Sequence, residues 1–193
     1  MTQPRNIAVL VGSLRRESFS RKIAVALADL APESLKLQIV EIGDLPLYNQ
    51  DDEPTPPAEW TRFRNEIKAA DGVLFVTPEY NRSLPAVLKN AIDVGSRPYG
   101  ASAWDGKPGA VISQSPGALG GFGANHALRQ SLVFLNVPAL QREAYIGGSA
   151  EVFTPEGKIA KPETETFLKS YIDAYAEWVE RHLPTQALAE VVR

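Results

Sequence analysis

The stretch that spans residues 9–22 reads VLVGSLRRESFSRK and predicts a strand, a polar loop and a helix in direct succession. Its apolar start is typical of a strand buried in a parallel sheet. A loop that leads from such a strand into a helix exposes N–H groups at the positive end of the helix dipole. Ser13, Ser18 and Ser20 add hydroxyl groups, and Arg15 adds a planar guanidinium that matches phosphate oxygens. The stretch therefore predicts a pocket for one terminal phosphate, with a plain serine-capped turn as the alternative.

This loop lacks the motifs of two other nucleotide sites. No Lys-Ser or Lys-Thr pair ends it, as a triphosphate-binding loop requires, and it lacks the three spaced glycines of a dinucleotide fingerprint. A single phosphate therefore fits this loop better than a triphosphate with magnesium or a tightly held pyrophosphate.

Length and composition predict a globular protein with one domain. The chain has 193 residues, of which 44% are hydrophobic and 22% are charged. We therefore expect one domain over residues 1–193. A net charge of −3 argues against electrostatic binding to nucleic acid.

Cysteine usage and the lengths of apolar runs predict the compartment. The chain contains no cysteine, which excludes disulfides, thiolate catalysis and cysteine-bound metals and is compatible with a reducing cytoplasm. The apolar run at residues 7–11 is too short for a secretion signal, and no run approaches membrane-spanning length. We therefore expect a cytoplasmic protein with no membrane partner.

Apolar segments alternate with helical patterns along the chain. The predicted strands are residues 7–11, 35–42, 73–76, 110–113 and 138–146. Apolar residues at helical spacing follow each strand, and the last helix is expected at residues 163–183. This alternation predicts an α/β three-layer sandwich around a parallel sheet. Five strands favour the flavodoxin-like order 2-1-3-4-5.

Three loops of this fold are rich in polar and small residues, and they follow strands 1, 3 and 4. In an open α/β sheet a ligand binds beyond the carboxyl ends of the strands, where the strand order reverses. In the third-strand loop, residues 77–83, a proline turn with a tyrosine and an asparagine fits the edge of a flat heterocycle. In the fourth-strand loop, residues 114–123, glycines let N–H groups approach a ligand closely. The alternatives are a proline turn that caps the next helix and a flexible glycine turn.

Other chemistries lack support in the sequence. His126 and His182 have no carboxylate at a spacing that would build a metal site, and isolated histidines are usually structural or surface groups. No Gly-x-Ser-x-Gly pattern of a nucleophile elbow occurs. The acidic run at residues 51–53 fits a solvated loop, because a calcium loop needs further spaced oxygens. We therefore expect no metal site.

The motifs in these loops resemble those of the NADPH-dependent FMN reductase family, a flavodoxin-like group that includes bacterial quinone and chromate reductases. The most specific part is Thr-Pro-Glu-Tyr-Asn at residues 77–81 followed by Leu-Lys-Asn-Ala-Ile-Asp at residues 88–93. The resemblance covers about residues 5–150. The other matching segments are residues 12–15, residues 18–20, Gly117, Gly120 and Gly121.

The resemblance implies a bound FMN, with NADPH or NADH as co-substrate. It assigns Ser13, Arg15, Ser18, Phe19 and Ser20 to the phosphate; Pro78, Glu79, Tyr80 and Asn81 to the isoalloxazine ring; and Ser115, Gly117 and Gly121 to the other side or the edge of that ring. The chain departs from the family at two positions. Ser20 stands where asparagine is frequent, and Arg82 stands where tyrosine or a small residue is frequent.

The resemblance also implies an activity. Electrons would pass from NAD(P)H to quinones, flavins, azo compounds or metal oxyanions such as chromate, by a ping-pong mechanism in which no side chain acts as acid or base. It further implies a homodimer or homotetramer, with Arg129 and Glu143 at subunit contacts. The aromatic loop around Tyr99 and Trp104 is expected to close over the site.

Two other functions are compatible with the sequence. One is an FMN-binding, flavodoxin-like electron carrier that acts with protein partners, although −3 is a weak net charge for such a carrier. The other is a flavin-free protein of the same fold that binds a phosphosugar or a nucleotide.

Overall fold

A parallel sheet organises the part of the chain that the structure, a computed structural model, describes: residues 3–183. The strands are β1 (Arg5–Val11), β2 (Leu35–Ile39), β3 (Gly72–Pro78), β4 (Gly109–Gln114) and β5 (Ala144–Ile146). The α-helices are α1 (Phe19–Leu30), α2 (Ala58–Ala69), α3 (Ala86–Gly95), α4 (Phe122–Phe134) and α5 (Pro162–His182). Short 3-10 helices occur at Gln50–Asp52 and Ser149–Glu151.

The strand order is β2-β1-β3-β4-β5 with parallel neighbours, so the predicted order is confirmed. Val11 lies beside Val76, and Val76 lies beside Ile112, near the carboxyl ends of the three central strands. This register brings the loops after β1, β3 and β4 to one edge of the sheet. The strand order reverses between β1 and β3, which is where this class of sheet binds ligands.

Helices cover both faces of the sheet, as the predicted three-layer sandwich requires. Apolar side chains of α1 and α5 form one buried cluster with alternate residues of the strands, among them Val9. Side chains of α2, α3 and α4 form the other cluster with the intervening residues, among them Leu10. Because both faces are covered, the central strands are apolar throughout rather than alternating.

Helix α5 is anchored to the sheet by polar groups as well as by its apolar face. The Tyr175 hydroxyl donates to the carbonyl of Val73 at 2.9 Å. Arg5 Nε donates to Glu180 Oε1 at 2.8 Å, and this bond lowers the pKa of the Glu180 carboxyl. Within residues 3–183, no helix combines the length and the apolar character that a membrane span needs.

The fifth strand is shorter than predicted: residues 138–146 were expected, and the ladder begins only at Ala144. The Tyr171 hydroxyl takes the place of a neighbouring strand at Val111, because it accepts from the Val111 N–H at 3.1 Å and donates to the Val111 carbonyl at 2.9 Å. Pro138 has no N–H to donate to a ladder, and its carbonyl accepts from Gly109 at 3.0 Å.

The second strand also ends earlier than predicted, at Ile39 rather than residue 42. Val40 still donates to the Val9 carbonyl at 3.0 Å, but the chain then leaves the sheet. Ile42 is buried in the cluster beneath α2 and α3, so its apolar character reflects burial in a loop rather than in a strand.

Two aromatic residues of the loop between α3 and β4 have opposite environments. Trp104 is 0% exposed, its indole N–H donates to the Ile92 carbonyl at 2.9 Å, and a Cβ at Gly95 would lie 2.5 Å from its ring. Tyr99 is 91% exposed. The Trp104 side chain belongs to the core and takes no part in covering the site, whereas closure by the loop around Tyr99 and Trp104 stays a prediction.

We predict that Trp104→Ala lowers the free energy of unfolding by about 3–5 kcal/mol, since it removes a buried aromatic ring and leaves a cavity. Tyr99→Ala, in the same loop, is expected to change it by less than about 0.5 kcal/mol. Urea denaturation followed by far-UV circular dichroism measures both changes. If Trp104→Ala does not fold, Trp104→Phe should still cost about 1–3 kcal/mol, and equal effects at both positions would contradict the assignment.

Candidate functional site

The loop after β1 lies directly against the loop after β3. The Gly12 N–H donates to the Val76 carbonyl at 2.9 Å. A Cβ at Gly12 would lie 2.6 Å from Thr77 Oγ1 and 3.2 Å from Pro78 Cδ, so only glycine permits this approach. The first and third loops, which were predicted to share a site, therefore meet where both strands end.

The loop after β3 is joined to the start of α4 by Glu79. Its Oε2 accepts from the Gly123 N–H at 2.8 Å and from the Ala124 N–H at 3.4 Å. The N-cap of α4 is Gly121, which has no side chain to cap the helix, so the carboxylate of Glu79 supplies the missing acceptor. Glu79 thus binds the start of α4 through one oxygen and Arg82 through the other, at 3.4 Å, which the resemblance to the family did not predict.

The loop after β4 is joined to the start of α1 by Gln114. Gln114 Nε2 donates to Ser20 Oγ at 2.9 Å, and both side chains are buried. Gln114 Oε1 is buried and has no hydrogen-bond partner within residues 3–183. Gln114 closes the set of contacts among the three loops, and sequence reasoning did not select it because glutamine is unremarkable at the end of a strand.

The phosphate loop predicted from the sequence leads into α1 as expected. Ser18 is the N-cap residue, and its Oγ accepts from the Arg21 N–H at 3.2 Å. The Arg15 guanidinium donates to the Glu17 carbonyl at 2.7 Å and lies 5.0 Å from the centre of the Phe19 ring. These contacts hold a cation over the first turn of α1, where the helix dipole already favours an anion.

Residues 80–83 form a tight two-residue turn at the tip of the loop after β3. Tyr80 and Ser83 exchange backbone hydrogen bonds of 2.9 and 3.0 Å. Asn81 and Arg82 both have positive φ, 49° and 65°, as in a type I′ turn. The Tyr80 side chain is directed outward and Tyr80 is 69% exposed.

The glycine-rich loop divides into a buried part and an exposed part. Gly120 and Gly121 have φ of 58° and 79°, and a Cβ on either would lie within 3 Å of the backbone. Gly117 is exposed, and its N–H donates to Ser115 Oγ at 3.1 Å. The Ser149 N–H donates to the Ser115 carbonyl at 3.1 Å, so the 3-10 helix after β5 supports this loop.

The predicted cofactor residues therefore fall into two groups. Those with exposed or half-buried side chains or backbone at the edge are Ser13, Arg15, Phe19, Pro78, Tyr80, Asn81, Ser115 and Gly117. The remaining ones, Ser18, Ser20, Glu79 and Gly121, bond to or pack against the protein. Arg15, Ser115 and Gly117 also make hydrogen bonds within their own loops. The assignment of all of them to a cofactor stays a prediction.

Asn90, in the second half of the matched motif, has a structural role that the sequence did not reveal. Its Oδ1 accepts from the Tyr48 N–H at 2.8 Å, and its Nδ2 donates to the carbonyls of Leu45 and Pro46 at 3.2 and 3.1 Å. This side chain fixes the proline-rich loop after β2 against α3. An asparagine on the inward face of a helix, between Leu88 and Ile92, was the available signal.

Arg129 and Glu143, which the resemblance places at subunit contacts, have partners within the chain. The Arg129 guanidinium donates to Asn125 Oδ1 and to the Leu140 carbonyl, both at 2.8 Å. Glu143 accepts a hydrogen bond from Tyr145, and burial together with this bond raises the pKa of Tyr145 to about 12. A role of either residue in assembly stays a prediction.

The fold and the edge together define a class of protein. A 2-1-3-4-5 parallel sheet with polar loops joined at the reversal point is the architecture of a flavodoxin-like α/β protein, a class that binds ligands at that edge. The sequence model of the NADPH-dependent FMN reductase family matches residues 5–151. The chain belongs to this family.

Named relatives agree with this assignment along nearly the whole chain. It is 63% identical to a quinone reductase of Pseudomonas putida, over 93% of this chain and 97% of the relative. It is 47% identical to a 2-hydroxy-1,4-benzoquinone reductase of Burkholderia sp, over 90% of this chain and 95% of that relative. The solved structure of FerB, a flavoenzyme NAD(P)H:(acceptor) oxidoreductase from Paracoccus denitrificans, superimposes with a TM-score of 0.87 at 41% identity and covers 92% of this chain and 98% of FerB.

Family membership defines the class of reaction. The protein is an oxidoreductase that uses FMN, with NAD(P)H as the electron donor. The expected enzyme class and cofactor are thereby confirmed.

We predict that Arg82→Gly stabilises the fold. A left-handed conformation costs a non-glycine residue about 1–2 kcal/mol, and the greater freedom of glycine in the unfolded chain offsets about 0.5–1 kcal/mol of that gain. The expected net gain is about 0.5–1 kcal/mol, measured by thermal unfolding. Arg82→Ala removes the same guanidinium but keeps the backbone cost, so it should give no gain, and equal stabilisation by both variants would contradict this explanation.

Proposed function

We propose that this protein is an FMN-dependent quinone reductase that takes electrons from NAD(P)H. The observation that carries the proposal is the joining of the loops after β1, β3 and β4 at one edge, through Gly12, Glu79 and Gln114. The quinone reductase of Pseudomonas putida, 63% identical, supports quinones as the acceptor class.

The donor groups at the start of α1 fit the phosphate of FMN. Arg15 supplies a charge, and the first turn of the helix supplies N–H groups. Ser18 and Ser20 accept hydrogen bonds from Arg21 and Gln114, which leaves their own hydroxyl protons to donate. We therefore assign the phosphate to this loop, with Ser13 at its entrance.

The rest of the edge fits a flat ring and a hydroxylated chain. Tyr80 and Asn81, in the loop after β3, and Ser115 and Gly117, in the loop after β4, are exposed or half-buried groups available to such a ring. The buried Gln114 Oε1 lacks a donor within residues 3–183, and the ribityl hydroxyls of FMN are donors of the kind it lacks. Pro78, next to Gly12, gives the ring a rigid floor.

The chain's own residues orient reactants rather than transfer protons. The loops after β1, β3 and β4 would hold FMN, whose chemistry would be to take a hydride from the nicotinamide and to pass two electrons to the acceptor. In the proposed arrangement the turn at residues 80–83 and the glycine loop flank the ring, and donor and acceptor use its open face in turn. We therefore propose ping-pong kinetics and assign no catalytic side chain.

The acceptors proposed here are quinones first. The Burkholderia relative is named for a hydroxylated benzoquinone, a flat ring of the size that an open flavin face admits. Free flavins, azo compounds and chromate are further candidates, because an exposed reducing cofactor transfers electrons to many compounds. A cytoplasmic homodimer or homotetramer, and a single FMN-binding domain over residues 1–193, remain parts of the proposal; residues 184–193 lie outside the described part of the chain.

We predict that Arg15→Ala weakens FMN binding by about 1.5–3 kcal/mol, because it removes one charged hydrogen bond to the phosphate. Titration of the apoprotein with FMN, followed by flavin fluorescence, measures the Kd. Arg16→Ala is the matched control, since it removes the neighbouring exposed arginine and should leave the Kd unchanged. Equal effects of the two substitutions would mean that the phosphate lies elsewhere.

The reaction itself is tested with the purified, FMN-loaded protein under nitrogen. We expect NADPH to bleach the visible flavin absorbance within the mixing time of a cuvette experiment and a quinone to restore it. Steady-state rates at several fixed quinone concentrations should give parallel double-reciprocal lines. Failure of both nicotinamides to bleach the flavin would favour the electron carrier, and a protein that binds no flavin would favour the phosphosugar or nucleotide binder.

A further inference from the structure

Arg82 occupies a backbone conformation that an arginine rarely adopts. Its φ is 65°, and it follows Asn81, whose φ is 49°. Asn-Gly is the preferred pair at these two positions of a type I′ turn. Unfavourable backbone conformations of this kind concentrate at functional sites, where the side chain is needed.

The turn holds this arginine rigidly. Its two backbone hydrogen bonds join Tyr80 and Ser83 at 2.9 and 3.0 Å. A Cβ at Gly123 would lie 2.6 Å from the Arg82 carbonyl oxygen, so the turn rests directly on the first residues of α4. The Cα of Arg82 is therefore fixed relative to the edge of the sheet, while its side chain extends outward.

The Arg82 guanidinium remains available to an anion. Its side chain is 81% exposed, and its Nη1 lies 3.4 Å from Glu79 Oε1. The other oxygen of Glu79 accepts from the N–H groups of Gly123 and Ala124, so that carboxylate is already shared with the positive end of α4. Glu79 thus orients the guanidinium without enclosing it.

The position of Arg82 at the rim favours one kind of anion. A quinone that accepts electrons lies against the ring, inside the space between the loops, whereas a nicotinamide dinucleotide extends well beyond the ring it stacks on. The anionic group of NADPH that NADH lacks is the 2′-phosphate on the adenosine, the far end of the donor. A planar guanidinium that extends from the rim matches such a phosphate.

We infer that Arg82 binds the 2′-phosphate of NADPH and makes this protein prefer NADPH to NADH, with Glu79 as the residue that positions the guanidinium. This inference rests on the proposed function, since it assigns a specificity residue to the same site. It gives a physical reason for an arginine at a position of the turn where glycine costs less.

The test compares donors in the FMN-loaded wild type and in Arg82→Gly, which removes the guanidinium from a turn that glycine suits. We expect kcat/KM for NADPH to fall roughly tenfold and kcat/KM for NADH to stay unchanged, because one charged contact of about 1.4 kcal/mol is lost. In calorimetric titrations, the affinity for 2′,5′-ADP should fall by the same factor while that for 5′-AMP is unchanged. Arg82→Lys should restore part of both losses.

Arg181→Ala is the control for a general loss of positive charge. Arg181 is an exposed arginine at the end of α5, one residue from Glu180, which bonds to Arg5 at the opposite edge of the sheet. It should leave the ratio of NADPH to NADH unchanged.

Three results would overturn the inference. They are an unchanged donor ratio in Arg82→Gly, an equal loss with both donors, and a loss confined to anionic hydroxyquinones. Each leaves the proposed function intact, because the wild type still reduces quinones. A wild type that oxidises neither nicotinamide would contradict the proposed function instead, and the 2′,5′-ADP titration would then decide the inference alone.

Discussion

The close approach of Gly12 to Thr77 is the contact on which the shape of the site depends. The parallel register sets Val11 beside Val76, so the chain must leave β1 and β3 at the same level. A side chain at residue 12 would meet the Thr77 hydroxyl at 2.6 Å and force the two loops apart. The small residue at position 12 therefore keeps the phosphate loop predicted after β1 in contact with the proline turn after β3.

Hydrogen bonds of polar side chains then connect the loops to neighbouring helices. Ser20 is bonded to Gln114, and Glu79 is bonded to the first N–H groups of α4. Groups arranged in this way have lost their freedom before a ligand arrives, which reduces the entropic cost of binding. The same residue types that suggest ligand contacts in the sequence thus serve partly as connections between loops.

The sheet could be predicted because its strands are marked by short, continuous segments of the sequence. Continuous apolar runs and the glycines and prolines between them predicted β1, β3 and β4 and their order. The ends of β2 and β5 could not be predicted, because apolar residues such as Ile42 are buried by loops as well as by strands. The Tyr171 hydroxyl bonds to the Val111 backbone where a neighbouring strand would otherwise pair with it. The two residues are 60 positions apart in the sequence, so no local pattern predicts this contact.

In the candidate site, too, some features could be predicted from the local sequence, whereas contacts between distant residues could not. The loops and their convergence followed from the topology, but the partner of each polar side chain did not, since Glu79 and Gly123 are 44 residues apart. Tyr99 and Trp104 look equivalent in the sequence, and only the packing of the Trp104 ring against Gly95 distinguishes the core residue from the exposed one.

Departures from local preference carry a different kind of information. Most of the chain agrees with its local rules: a serine caps α1, proline precedes α3 and α5 begins with proline. Arg82 is an exception, because a type I′ turn after asparagine favours glycine. Asparagine tolerates the left-handed conformation at Asn81 and Asn136, but arginine does not favour it, so local folding preference does not explain Arg82. Its side chain then has to be explained by what approaches that edge, and a phosphate is the group that an exposed, oriented guanidinium suits best.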